Sequence, residues 1–119
     1  MKIAFTSTDG NKIDCHFGCS ESFYVWEVQP GQARYLGARA ATDAEGQEDR
    51  ILARTQALQD CAIVCTSQIG GPAAAKLAAR HIHPLKFETS EEVTEVIERL
   101  QKVMRRLPPP WLRKAMARD

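Results

Sequence analysis

Apolar side chains along this chain alternate between short runs and one long 3,4 rhythm, and the switches mark out the elements. "KIAFT" (Lys2–Thr6) reads as a short strand with a buried face. "FYVWEV" (Phe23–Val28) is rich in the aromatic and β-branched residues that suit a pleated surface. The turn residues "PGQ" and then "ARYLGAR" (Ala33–Arg39) follow, so Phe23–Arg39 predicts a hairpin with a short loop. A polar stretch, "TDAEGQEDR", leads into a helix running to about Leu58, with Ile51, Thr55 and Leu58 on its inner face. "CAIVCT" (Cys61–Thr66) is an apolar run of the kind found in strands covered on both faces. "GGPAAAKLAAR" opens a second helix with Pro72 in its first turn, and "IHPLKF" (Ile82–Phe87) is the last strand. The best periodicity is the final one: Val93, Val96, Ile97, Leu100, Val103 and Met104 share one stripe, with Ser90 as the expected N-cap.

A hairpin-containing first half followed by β-α-β-α calls for parallel pairing with right-handed crossovers in the second half. The expected fold is a single α/β domain: a mixed sheet of about five strands flanked by helices. A chain of 119 residues has room for one such core. Residues 1–107 make up that domain, and 108–119 form a Pro-rich basic tail, since three prolines end the long helix.

Charge sharpens this division. Residues 1–98 carry nine Lys and Arg against fourteen Asp and Glu, a balance of −5; residues 99–119 carry seven against one, a balance of +6. Such a block is either a solvated helix or a docking surface for an acidic partner. With Trp111 as its one aromatic and no recognised motif, the block does not read as a nucleic-acid site. No apolar h-region opens the chain and no run reaches a membrane span, which places the protein in the cytoplasm. There, four cysteines are expected as ligands or buried hydrophobes rather than disulfides.

The chemistry concentrates in "DCHFGCSESF", where Cys15 and Cys19 flank His16. Cys15-x3-Cys19 and Cys61-x3-Cys65 look like two ligand pairs for one tetrahedral metal, but geometry rejects it. Residues four apart in a strand are roughly 13 Å apart, and metal–sulfur bonds are about 2.3 Å. Cys61 starts the central strand and is expected in the core. Cys65 ends it, at the carboxyl edge where open α/β sheets gather ligands. The loop over residues 7–20 would hang over the same edge, so His16, Cys65 and one of Cys15 or Cys19 are expected to form a patch. Within it, His16 and Cys65 are the expected metal contacts. In "SQIGGPAAAKL", Gly70 and Gly71 precede a helix whose first N–H groups suit an anion. Each feature has a plainer reading. His16 beside Gly18 is also what a turn contains, and the two glycines also suit a tight strand-to-helix turn. A Cys–His nucleophile would need an orienting residue and an oxyanion motif, and none is evident. His81 and His83 are expected at the surface of the opposite edge.

Three blocks in order, "IAFTSTDGNKIDCHFGCSESFYVWEV", "IGGPAAAKL" and "PPPWLRKAM", resemble the dinitrogenase iron–molybdenum cofactor biosynthesis family over roughly residues 2–116. The resemblance implies a ribonuclease-H-like fold without ribonuclease chemistry. It implies a non-enzymatic carrier of NifX type that binds an iron–sulfur cofactor precursor (NifB-co type) or the finished iron–molybdenum cofactor. The implied partners are a NifEN-type scaffold and a NifB-type cluster synthase. The family's histidine falls on His16; Cys15 and Cys19 beside it leave open whether imidazole or thiolate makes the main contact. Competing readings are a chaperone for apo-dinitrogenase, a small thiol enzyme using Cys15 or Cys19, and a metal-free interaction module working through the basic tail.

Overall fold

Period-two alternation sorts the strand residues between two cores, and that sorting fixes where the site can lie. A computed structural model describes residues 1–41 and 44–117. Thr42 and Asp43 of the polar stretch, and Arg118 and Asp119 of the basic end, lie outside the described residues. The strands are β1 (Lys2–Thr6), β2 (Ser22–Gln29), β3 (Gln32–Ala40), β4 (Ile63–Thr66) and β5 (His83–Lys86); the helices are α1 (Gln47–Ala57), α2 (Gly71–Ala79), α3 (Val93–Arg105) and α4 (Pro110–Ala117). The sheet order is β3-β2-β1-β4-β5. β4 is parallel to both β1 and β5, while β2 runs antiparallel to β1 and β3. This is the mixed five-stranded α/β architecture expected, with helices packed on both faces.

Ile3 and Phe5 of β1 and Ile63 and Cys65 of β4 face α3 and α4, where they pack with Val96, Ile97, Leu100 and Met104. Ala4, Val64, Phe23 and Val25 face the other way and pack with Leu58, Ala73 and Leu77 on the side of α1 and α2. The predicted stripe on α3 is buried apart from Val103, which is 40% exposed. That helix does not start where expected. Glu92, not Ser90, is the N-cap residue, and no side chain caps it; instead the carbonyl of Asn11 accepts from Val93 N at 2.9 Å.

The end of the chain also differs from the expected tail. Beyond the prolines, α4 packs onto the sheet with Leu112 fully buried and Ala115 in the same core as Met104 and Val28. Trp111 stacks on His83 with ring centroids 4.1 Å apart and planes 13° from parallel. His83 is therefore half-buried rather than a surface residue, and its burial lowers its pKa. His81 is exposed, as expected, in a left-handed conformation with φ +61°. Among the described residues no helix is long and apolar enough to cross a membrane.

Candidate functional site

The loop after β1 begins as a self-satisfied turn. Asp14 accepts from Thr8 N at 2.9 Å and from Thr8 Oγ1 at 2.8 Å, and Ser7 Oγ accepts from Gly10 N at 2.9 Å. Gly10 is required here: its φ is +86°, and a Cβ would fall 2.9 Å from the Tyr24 ring. Ile13 N then donates to the Glu91 carbonyl at 2.9 Å, tying the loop to the approach to α3.

Two buried anchors settle the loop's path. Ile13 is buried in the α3-side core and Phe17 in the α1/α2-side core, so Asp14–His16 must cross the carboxyl edge of the sheet. Thr6 and Thr66, the last residues of β1 and β4, hold the crossing from below. Thr6 Oγ1 donates to the Cys15 carbonyl at 2.7 Å; Thr66 Oγ1 lies 2.9 Å from Thr6 Oγ1 and 3.2 Å from the carbonyls of Cys15 and Gln68. The crossing segment also pairs with the chain leaving β4. Ser67 N donates to the Cys15 carbonyl at 3.1 Å, Phe17 N donates to the Gln68 carbonyl at 2.8 Å, and His16 forms a parallel bridge with Gln68. The histidine loop thus runs beside the strand-to-helix connection that ends at Gly70 and Gly71.

Past His16 the chain turns, with Cys19 N and Ser20 N donating to the His16 carbonyl at 3.1 and 3.0 Å. Arg54 of α1 holds the turn from inside. It is 3% exposed, its Nη1 donates to the carbonyls of Phe17 at 3.0 Å and Ser20 at 2.8 Å, and its guanidinium lies 5.8 Å from the Phe23 ring centroid. His16, Cys19, Gly70 and Gly71 are exposed and Cys15 is half-buried. A cleft of about 420 Å³ lies between the Phe17–Cys19 turn and the first turns of α1 and α2. A second cavity, about 290 Å³, lies on the other side of Cys19 and is lined also by Cys15, Glu21 and Tyr24.

Cys65 does not join this group. It is completely buried and its side chain shares the α3-side face with Ile63, so Thr66 rather than Cys65 reaches the edge beneath the loop. Burial in that apolar core pushes the Cys65 thiol far above the usual range. Cys61 lies in the α1/α2-side core, as expected, with its thiol pushed up to about 12 chiefly by burial. At Cys15 burial is again the first cause of a raised pKa, followed by the Asp14 carboxylate and then by Cys19 and Glu21. Among the described residues no three His, Cys, Asp or Glu side chains converge as a metal cage.

The model of the family described as "Dinitrogenase iron-molybdenum cofactor" matches residues 1–103. The chain belongs to this family. Among curated relatives, "Protein NifX" of Herbaspirillum seropedicae is 33% identical over 119 residues, covering 98% of this chain and 82% of that protein. "Protein NifY" of Azotobacter vinelandii is 34% identical over 119 residues, covering all of this chain but 49% of the longer relative. Among solved structures, that of PH0822 superposes with a TM-score of 0.70 at 17% identity, covering 86% of this chain and 91% of that one, which shows the shared fold.

In this member of the dinitrogenase cofactor family, the residues that shape the edge are ones the sequence hides. Thr6 and Thr66 read as strand ends, and Arg54 lies within the first helix without drawing notice. One signal was available: Arg54 falls between Ile51 and Leu58 on the inner stripe of α1, where a solvated arginine has no place.

Proposed function

We propose that this protein acts in nitrogenase iron–molybdenum cofactor assembly as a non-enzymatic carrier, binding an anionic iron–sulfur precursor or the finished cofactor transiently and passing it on. The observation that carries this reading is the pairing of Cys15–Phe17 with Ser67–Gln68. It brings His16, Cys15 and Cys19 to the same edge as the start of α2 at Gly70 and Gly71. Imidazole and thiolate are soft donors suited to iron–sulfur material, and a helix start suits its negative charge.

The openness of the site favours carriage over storage. A closed four-cysteine cage would retain a cluster, whereas a few donors on a solvent-facing edge allow release to a scaffold. The raised pKa of Cys15 opposes the thiol-enzyme reading at that residue, because a nucleophilic cysteine needs a lowered one. His16 is the proposed principal ligand, with Cys19 and Cys15 as supporting donors. The relatives' names support association with cofactor-assembly proteins; a NifEN-type scaffold and a NifB-type synthase are the proposed partners. The basic stretch from Arg99 to Lys114 is the proposed docking surface for them.

Anaerobic mixing with the isolated NifB-type precursor cluster tests this directly. The expected result is a brown protein whose charge-transfer absorption comigrates with the chain on gel filtration. A colourless protein peak, with all colour in the small-molecule fractions, would overturn the carrier reading.

A further inference from the structure

Arg50 and Arg54 stand four residues apart on α1, a spacing that places both on one stripe of the helix. That stripe faces the 420 Å³ cleft, which both arginines line. Across the cleft lies the first turn of α2, whose N-terminus has no side-chain cap. The start of α1 opens onto the same space through Gly46 and Gln47. The acidic residues of that first turn, Glu48 and Asp49, do not line it. The remaining walls are largely apolar: Phe17, Ile51, Pro72 and Ala73. A cavity of this size, largely apolar with a few cationic and N–H groups in its walls, is the usual form of a site for a small organic molecule.

We propose that this cleft binds a small organic carboxylate. The carboxylate would sit against the Arg50 guanidinium and the free N–H groups at the start of α2, a charge-assisted arrangement. Its hydrocarbon part would lie on Phe17, Ile51 and Pro72. A bare inorganic oxyanion would meet the same cationic groups but leave the apolar walls uncovered. Arg54 is a positioning residue. Its donations to the Phe17 and Ser20 carbonyls hold the turn that forms the outer wall of the cleft. Cys19 belongs to both the cleft and the neighbouring cavity with Cys15, so an organic acid in the cleft would lie alongside cargo held at the edge.

The inference goes beyond the carrier reading and can fail separately from it. The test is an amide-shift titration of the full chain, free of cluster, with glutarate, using inorganic phosphate and the uncharged glutaramide as controls. Glutarate is expected to give saturable shifts at Gly18, Cys19, Gly70, Gly71 and Ala73. Phosphate should bind about tenfold more weakly and glutaramide not at all. Arg50→Ala should weaken glutarate binding about tenfold, with Arg50→Lys intermediate, a factor in keeping with loss of one charge-assisted contact. Arg50 is exposed, so its variants should keep the wild-type melting temperature. No saturable shift, shifts gathered on the basic face of α3 and α4, equal binding of phosphate, or undiminished binding by Arg50→Ala would overturn the proposal. Cluster uptake by the same preparation separates the two readings. Uptake without a glutarate response removes the carboxylate site alone; a glutarate response without uptake removes the carrier reading alone.

Discussion

Cys15 and Cys19 lie in one short turn, yet their surroundings differ. Cys15 is half-buried next to Asp14, while Cys19 is exposed between two cavities. Burial and then the Asp14 carboxylate raise the Cys15 pKa, which disfavours the thiolate. Iodoacetamide at pH 7.5 should therefore modify Cys15 more slowly than a free cysteine, and Asp14→Asn should speed the reaction, as read by mass spectrometry. Fast modification of Cys15 in the wild-type protein would instead indicate an activated nucleophile. At this scale the sequence reveals the candidate donors that are contiguous. His16, Cys15 and Cys19 can be read as a group because they share one run. Cys65 misleads, because its position at the end of a strand says how far along the sheet it lies but not which face it takes. That depends on register, through its alternation with Val64 and Thr66.

The elements were more legible than their docking. The hairpin, the β4-α2-β5 unit and the stripe on α3 all follow from periodicity, since each buries a face long enough to repeat. What periodicity does not carry is the pinning of the loop by strand-end hydroxyls. Thr66→Val keeps the shape but removes the hydroxyl that lies between Thr6 Oγ1 and the carbonyls of Cys15 and Gln68. Each of those groups keeps another partner, so the lost hydrogen bonding should cost about 0.5–1.5 kcal/mol in urea unfolding and broaden the amide signals of residues 15–19. An unchanged stability would mean the hydroxyls do not hold the crossing. The short α4 follows three prolines that end the long helix, and the sequence does not show that it packs back onto the sheet. Leu112 is fully buried, so Leu112→Ala should cost about 2–5 kcal/mol. A cost near zero would restore the view of residues 108–117 as a detached tail.

Across the whole molecule, charge ties β3 and β1 to the segment between α1 and β4. Arg39 of β3 makes a two-pronged contact with Asp60, at 2.6 and 2.8 Å, and also donates to the Ala57 carbonyl at the end of α1. Lys2 of β1 reaches the same carboxylate at 3.3 Å. Hydrogen bonding from Arg39 holds the Asp60 carboxyl well below the usual range of about 4. A carboxyl whose folded pKa lies below its unfolded one stabilises the fold fully above the unfolded value, and that contribution disappears as pH falls through the folded value. The melting temperature of the wild-type chain should thus fall more steeply between pH 5 and pH 2 than that of Asp60→Asn. Parallel profiles would show that the pair contributes nothing to the fold. The most direct test is the iron retained per chain after anaerobic gel filtration of protein loaded with the precursor cluster, compared between wild type and His16→Ala. Retention by the wild type and its loss in His16→Ala, with both variants melting at the same temperature, is the predicted result; equal retention by the two would contradict a site built on His16.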